Sequence, residues 1–151
     1  MIIGKEGKYI EESQAQNYIF GYCIVNDISE RSWQKERGGQ WIKGKSIAGP
    51  CGPWLVTKDE IKNIKNLNLS LDVNGKRRQS GNTEKMIFDF NFLVSHISQF
   101  MTLYPGTIIT TGTPAGTAME MKNPEFLKAG DKLHLKIDGL GEQLHEIINE
   151  I

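Results

Sequence analysis

Leu67-Asn68-Leu69-Ser70-Leu71-Asp72-Val73-Asn74-Gly75 is the stretch whose reading decides the fold class. Leu67, Leu69, Leu71 and Val73 alternate with Asn68, Ser70 and Asp72, the period-two pattern of a strand with one buried face. Asn74-Gly75 is a strong hairpin signal, because both central positions of the tight turn need positive φ. Lys76 to Ser80 is then the return arm. The same alternation recurs at Leu133, Leu135 and Ile137, interleaved with His134 and Lys136. Asp138-Gly139 turns the chain into a last strand, from about Gln143 to Ile148. Shorter apolar runs at Tyr22 to Asn26, Trp54 to Thr57 and Thr107 to Thr110 read as further strands. Helical period governs Asp89 to Met101, where Phe90, Leu93, Val94, Ile97 and Met101 form one stripe. A second short helix is expected over 11–20, started by Glu11, Glu12 and Ser13 and ended by Gly21. The expected class is mainly β with a few helices, several strands pairing across long sequence gaps.

At 151 residues the chain fits a single domain. Its 18 basic and 18 acidic residues balance without a charge block, which argues against nucleic acid or an anionic membrane as partner. Lys76-Arg77-Arg78 reads as the solvated arm of the hairpin. No apolar run approaches the ~20 residues that span a bilayer. Met1-Ile2-Ile3 gives way at once to polar residues, unlike a secretory leader, so a soluble, cytoplasmic protein is expected. Cys23 and Cys51 fit neither a CxxC motif nor a disulfide framework. Cys23 reads as a small core residue, and Cys51, between Pro50 and Gly52, could be a reactive thiol, but no His or Lys beside it in sequence would lower its pKa.

Several residues could carry chemistry, and each has a plainer reading beside the functional one. Asp27 ends an apolar strand, so it could face a cavity as a ligand to a hard cation. It could equally cap a helix, with Glu30 three positions later completing a capping box. Gln34, seven residues past Asp27, could share its helical face and bind a ligand, or be a surface glutamine. Lys45, in the Gly-rich loop from Gly38 to Gly52, could pair with a substrate carboxylate or a developing enolate, or be solvated. Thr110 to Thr117 carries four hydroxyls and two glycines, an anion nest or an ordinary turn. Gln79 to Thr83 is a further polar cluster that could line the same cavity. His96, His134 and His145 lack metal-ligand spacing. No Gly-x-Ser-x-Gly elbow occurs, which argues against a serine hydrolase.

Five segments in order carry a resemblance over nearly the whole chain: Gly21-Tyr22 through Asn26-Asp27 to Gln34, Gly44-Lys45-Ser46, Gly52-Pro53-Trp54, Gln79 to Phe88, and Thr111-Gly112-Thr113-Pro114-Ala115-Gly116. Together they resemble the C-terminal domain of the fumarylacetoacetate hydrolase family. They look most like the bacterial branch of acylpyruvate hydrolases, oxaloacetate decarboxylases and 2-hydroxyhepta-2,4-diene-1,7-dioate isomerases. The resemblance implies a mixed β-sandwich roll, a homodimer, and Mg²⁺ or Mn²⁺, with Ca²⁺ also suited, held by three carboxylates. That cation chelates a small 2-oxo acid and stabilises an enolate, which serves hydrolysis, decarboxylation and isomerisation alike. By residue, it implies Asp27 as the third metal carboxylate and Lys45 as the catalytic lysine beside the metal. It implies Gln34, Lys45 and Thr113 as substrate-binding residues.

The same resemblance implies what is not found. The family's other two metal carboxylates form a Glu-x-Glu pair just before the segment matching Ile2 to Lys5, and its His/Glu lid dyad lies further upstream. Gly49 stands where many members have a threonine or aspartate. Residues 1–151 are therefore expected to be one domain lacking the N-terminal lid and first metal-ligand strand. The alternative to an enzyme is a catalytically silent domain of this fold, serving in small-carboxylate binding or assembly.

Overall fold

The computed structural model describes residues 1–35 and 49–149. Its strands form two antiparallel sheets. The first has three strands in the order β1 (Ile2–Ile3), β2 (Ile19–Val25), β3 (Cys51–Thr57). The second has four, in the order β5 (Lys76–Asn82), β4 (Asn68–Val73), β6 (Lys132–Ile137), β7 (Gly141–Glu146). Two α-helices, α1 (Arg31–Lys35) and α2 (Phe90–Ser98), and short 3-10 segments complete the described elements. The fold is mainly β with few helices, as the alternating pattern predicts.

The hairpin forms where Asn74-Gly75 places it, with φ of 52° at Asn74 and 75° at Gly75. Asn74 suits this turn for a second reason. Its Nδ2 donates to Asp131 Oδ1 (2.9 Å) and its Oδ1 accepts the Lys132 N–H (2.9 Å). The turn is thereby tied to the start of β6, and β4 pairs with β6 so that Leu71 faces Leu135 and Val73 faces Leu133. Between β4 and β5 the register slips, Leu71 facing Gln79 and Asp72 facing Arg77, so Arg78 is the extra residue of a bulge. Arg77 pairs with Asp72 and Arg78 with Glu125, so the basic arm is not simply solvated.

The segment over 11–20 differs from expectation. Only Glu12–Asn17 is helical, as a 3-10 turn, and the strand already begins at Ile19. Gly21 lies inside β2 rather than ending a helix. A Cβ there would sit 2.2 Å from the Val56 carbonyl oxygen, so this glycine permits the close approach of β3. Thr107 to Thr110 forms no regular strand. It pairs with the chain start through Ile3 N–H to Thr107 O and Ile109 N–H to Met1 O, both 2.9 Å, with one bridge at Ile2 and Ile108.

Asp89 caps α2 by accepting the Phe92 N–H (3.0 Å). Phe90 and Val94 bury as the stripe predicts, but Met101 is exposed beyond the helix end. Ser98 takes the buried position in its place. It can do so because its Oγ accepts the Ile10 N–H (2.8 Å) and donates to Ser95 O (2.7 Å). The core lies between α2 and the first sheet, built on Ile3, Ile19, Ile24, Val94 and Leu103. Tyr22 meets Phe90 edge-to-face, centroids 5.4 Å apart at 72°.

A buried side chain ties the two sheets. Gln143 on β7 donates from Nε2 to Ile24 O (3.2 Å) and Gly52 O (2.8 Å), at the ends of β2 and β3. At Gly141, a Cβ would meet the Trp54 ring at 2.8 Å, so β7 starts in direct contact with β3. Gln143→Leu removes both donors and leaves two carbonyls without them, an expected loss of about 1–3 kcal/mol. Leu103→Ala empties a fully buried site at an expected cost of about 2–5 kcal/mol. Urea denaturation checks both, with the highly exposed Ile87→Ala as the control expected to change stability by less than about 0.5 kcal/mol.

Candidate functional site

A concavity of about 2660 Å³ opens where the end of β2, the β4–β5 hairpin and the loop 111–117 meet. Its polar lip includes Asn26, Asp27, Gln79 and Thr113, and leucines of β4 and β6 floor it. A small-molecule pocket is about 300–1,000 Å³. These walls therefore form one side of a site rather than enclosing a small acid.

Asp27 lies two residues past the end of β2, exposed and on the lip. The backbone around it is held by Asn26 N–H to Pro50 O (2.9 Å) and Ile28 N–H to Asn26 O (2.9 Å). Asp27 does not cap the helix that follows. α1 starts at Arg31, and the Glu30 carboxylate takes the Ser32 N–H (2.8 Å) and hydroxyl (2.6 Å). The capping position thus belongs to Glu30, three residues beyond Asp27.

Gln34 is 4% exposed and is not among the residues lining the concavity. No helix runs from Asn26 to Glu30, so the seven-residue spacing does not put Asp27 and Gln34 on one helical face. Gln34 Oε1 accepts from the Arg31 guanidinium. Its Nε2, and Nδ2 of Asn26, are buried with no hydrogen-bond partner among the described residues. Lys45, with Trp41 and Lys43, lies outside the described residues.

Thr113 is exposed on the lip, and its Oγ1 accepts from Gln79 Nε2 (2.8 Å). The same amide donates to Pro114 O (2.8 Å), so β5 holds the threonine loop by its backbone as well. Two glycines make this contact possible. Gly116, at φ 107°, lies so close to Arg78 that a Cβ would fall 2.0 Å from its carbonyl oxygen. A Cβ on Gly81 would fall 2.9 Å from Pro114.

The nest is partly filled from within. Glu120 Oε2 accepts the N–H groups of Gly116 (2.7 Å) and Thr117 (2.8 Å). These bonds, Thr117's first, hold the Glu120 carboxyl below the usual range. An incoming anion therefore has the Thr111–Thr113 end of the loop rather than its far end. The pattern Thr117-x-x-Glu120 is a capping box and was the signal that could have shown this.

Among the described residues, no three His, Cys, Asp or Glu side chains converge. Asp27 suits a hard cation as one oxygen ligand, but Mg²⁺ requires near-octahedral oxygen coordination. The described residues do not complete a donor set. Cys23 is half-buried and lines the concavity instead of filling the core, 3.1 Å from Cys51 across sulfur atoms. His96 stacks on Phe92 and meets Phe100 edge-on, and His134 pairs with Glu142 at 2.8 Å, roles in packing and surface pairing. No helix among the described residues is long and apolar enough to cross a membrane.

Known proteins match this architecture closely. The family model "Fumarylacetoacetate (FAA) hydrolase C-terminal" matches residues 1–148. A Burkholderia ambifaria protein named "Putative hydrolase" is 53% identical over 152 residues, covering 99% of this chain and 54% of its own length. The fumarylacetoacetate hydrolase of psychrophilic Exiguobacterium antarcticum superposes with a TM-score of 0.92 at 37% identity, over 99% of this chain and 54% of that one. Maleylpyruvate hydrolase from Sphingobium sp. SYK-6, in complex with manganese(II) and pyruvate, superposes with a TM-score of 0.83 at 31% identity, over 97% of this chain and 51% of that one. The chain spans about half the length of these relatives.

The Glu120 bonds are testable by pH. A depressed folded pKa means the carboxylate's contribution is complete above its unfolded value, near about 4.3, and is lost as pH falls through the lower folded value. The amide resonances of Gly116 and Thr117 should titrate with a midpoint below that unfolded value, and Glu120→Gln should abolish the transition. NMR of the labelled chain checks both.

Proposed function

This chain belongs to the fumarylacetoacetate hydrolase family, and from that premise we propose that it forms the cation- and carboxylate-binding wall of a site for a small 2-oxo acid. The observation that carries the reading is the placement of Asp27 and Thr113, remote in sequence, on the lip of one concavity. Asp27 presents a hard oxygen ligand suited to Mg²⁺ or Mn²⁺, with Ca²⁺ also accommodated. The remaining carboxylates come from residues beyond those described here. A bound cation would supply Lewis-acid polarisation of the 2-oxo group.

The chain's own residues bind and orient. Thr113 and the free end of its loop receive the substrate carboxylate, while Gln79 holds the loop in place. Lys45 is the catalytic lysine beside the metal and also contacts substrate, a role resting on the family resemblance. Gln34, whose Nε2 has no partner among the described residues, is a further substrate-side residue on the same basis. The reaction class is hydrolysis, decarboxylation or isomerisation of an acylpyruvate, oxaloacetate or related dioate through an enolate. The pyruvate and manganese of the Sphingobium relative are of this chemistry. Residues 1–151 act as a single domain, cytoplasmic and homodimeric.

A second reading is a catalytically silent domain that binds small carboxylates or serves in assembly. That no three His, Cys, Asp or Glu side chains converge among the described residues favours it. Calorimetric titration of the full chain with Mn²⁺, with and without oxalate as enolate mimic, separates the two. The first reading expects saturable binding that oxalate strengthens, and that Asp27→Asn weakens at least about tenfold, or roughly 1.4 kcal/mol. Binding should be accompanied by turnover of oxaloacetate or an acylpyruvate. Carboxylate binding without cation or turnover would establish the silent domain. No difference between the chain and Asp27→Asn would overturn Asp27 as a ligand.

A further inference from the structure

Sequence spacing gave no reason to join the two cysteines, yet the fold brings them together. Cys51 pairs with Val25 across the β2–β3 ladder. Cys23, two residues before Val25, points to the same face of the sheet. A register shift between Tyr22 and Ile24 draws the two strands past one another at this point. The result is a pair of free thiols whose sulfurs lie 3.1 Å apart. A disulfide requires about 2.05 Å, so the bond needs closure of about 1 Å, within reach of side-chain rotation. Cys51 is exposed and Cys23 half-buried, so an oxidant in water meets Cys51 first. Their placement also matters. The segment between them carries Asp27, Gln34 and Lys45, and Cys51 follows Pro50, whose carbonyl holds the Asn26 N–H.

We propose that Cys23 and Cys51 are a redox modification site, closed by a hydroperoxide into an intramolecular disulfide that joins β2 to β3 at the base of the segment bearing Asp27. The chemistry balances in two steps. The Cys51 thiolate attacks the peroxide oxygen, an S–O bond forms, the O–O bond breaks, and hydroxide or alkoxide leaves and takes a proton. Cys51 is then a sulfenic acid. The Cys23 sulfur attacks that sulfur, the S–S bond forms, the S–O bond breaks, and water departs with the Cys23 proton. Two thiols are oxidised by two electrons and one hydroperoxide is reduced. Burial, then its hydrogen bond to Cys51, pushes the Cys23 thiol up to about 11, so little of it is thiolate when peroxide arrives. A thiol-based reductant reverses the change by exchange.

The disulfide itself stands independently of the catalytic reading. The test is to treat the full chain with hydrogen peroxide, count free thiols and map peptides by mass spectrometry. The expected result is loss of both thiols, a mass lower by two hydrogens, a linked Cys23–Cys51 peptide, and full recovery with dithiothreitol. Closure should be at least about tenfold slower in urea-unfolded chain, because the fold supplies the proximity. Cys23→Ser should stop at a sulfenic acid on Cys51 that a dimedone probe captures, with the folded state confirmed by circular dichroism. Two thiols still titratable after peroxide, cross-links only between chains, or equal rates in folded and unfolded chain would each overturn the proposal.

Discussion

The Gln143 carboxamide is the constraint on which the arrangement of the site depends. Both its amide hydrogens go to carbonyls of the other sheet, Ile24 and Gly52. Those carbonyls sit where β2 and β3 lose regular register, so the ladder alone does not organise that end. Gln143 Oε1 in turn lies 3.0 Å from His145 Nε2, so the buried amide is engaged at both ends. Asp27 follows Ile24 by three residues. Its position at the lip is therefore set by a side chain on a strand at the far end of the sequence.

The opposite lip obeys a different rule, that of backbone approach. Gly81 and Gly116 let the threonine loop lie against β5, and the Arg78 bulge presents the carbonyl it meets. Gln79 then bonds both a side chain and a carbonyl of the loop. Glu120 neutralises two N–H groups that would otherwise face solvent. The loop is thus prepared at one end and open at the other, which narrows where an anion can dock. Charge-assisted hydrogen bonds make that internal occupation strong enough to matter.

Much of the fold was legible because its signals are local. The alternation from Leu67 to Val73, the Asn74-Gly75 turn and the Asp89 cap each act within a few residues. The misreadings arose where a distant contact overrode a local preference. Gly21 resembles a helix stop, but its missing Cβ serves Val56, far along the chain. Met101 continues an apolar stripe, yet Ser98 takes the buried place because Ile10 offers it a hydrogen-bond donor. Thr107 to Thr110 had the composition of a strand but, among the described residues, met the short β1 at the chain start as partner. Of the site, Asp27, Gln79 and Thr113 were legible as strand-end and loop residues, whereas the burial of Gln34 was not. The spacing from Asp27 was right for a helix that begins only at Arg31.

By itself, the sequence determined the strand periods, the hairpin, the capped helix and the order of motifs that marks the family. Each of these depends on φ preferences, side-chain alternation or residue identity along a short run. Tertiary structure alone decided that Glu30 and not Asp27 caps α1, that Glu120 fills part of the threonine nest, and that Cys23 meets Cys51. These outcomes depend on competition between donors and acceptors, and on strand register. A buried polar group takes whichever partner the assembled fold brings within bonding distance, and no local run of residues specifies that choice.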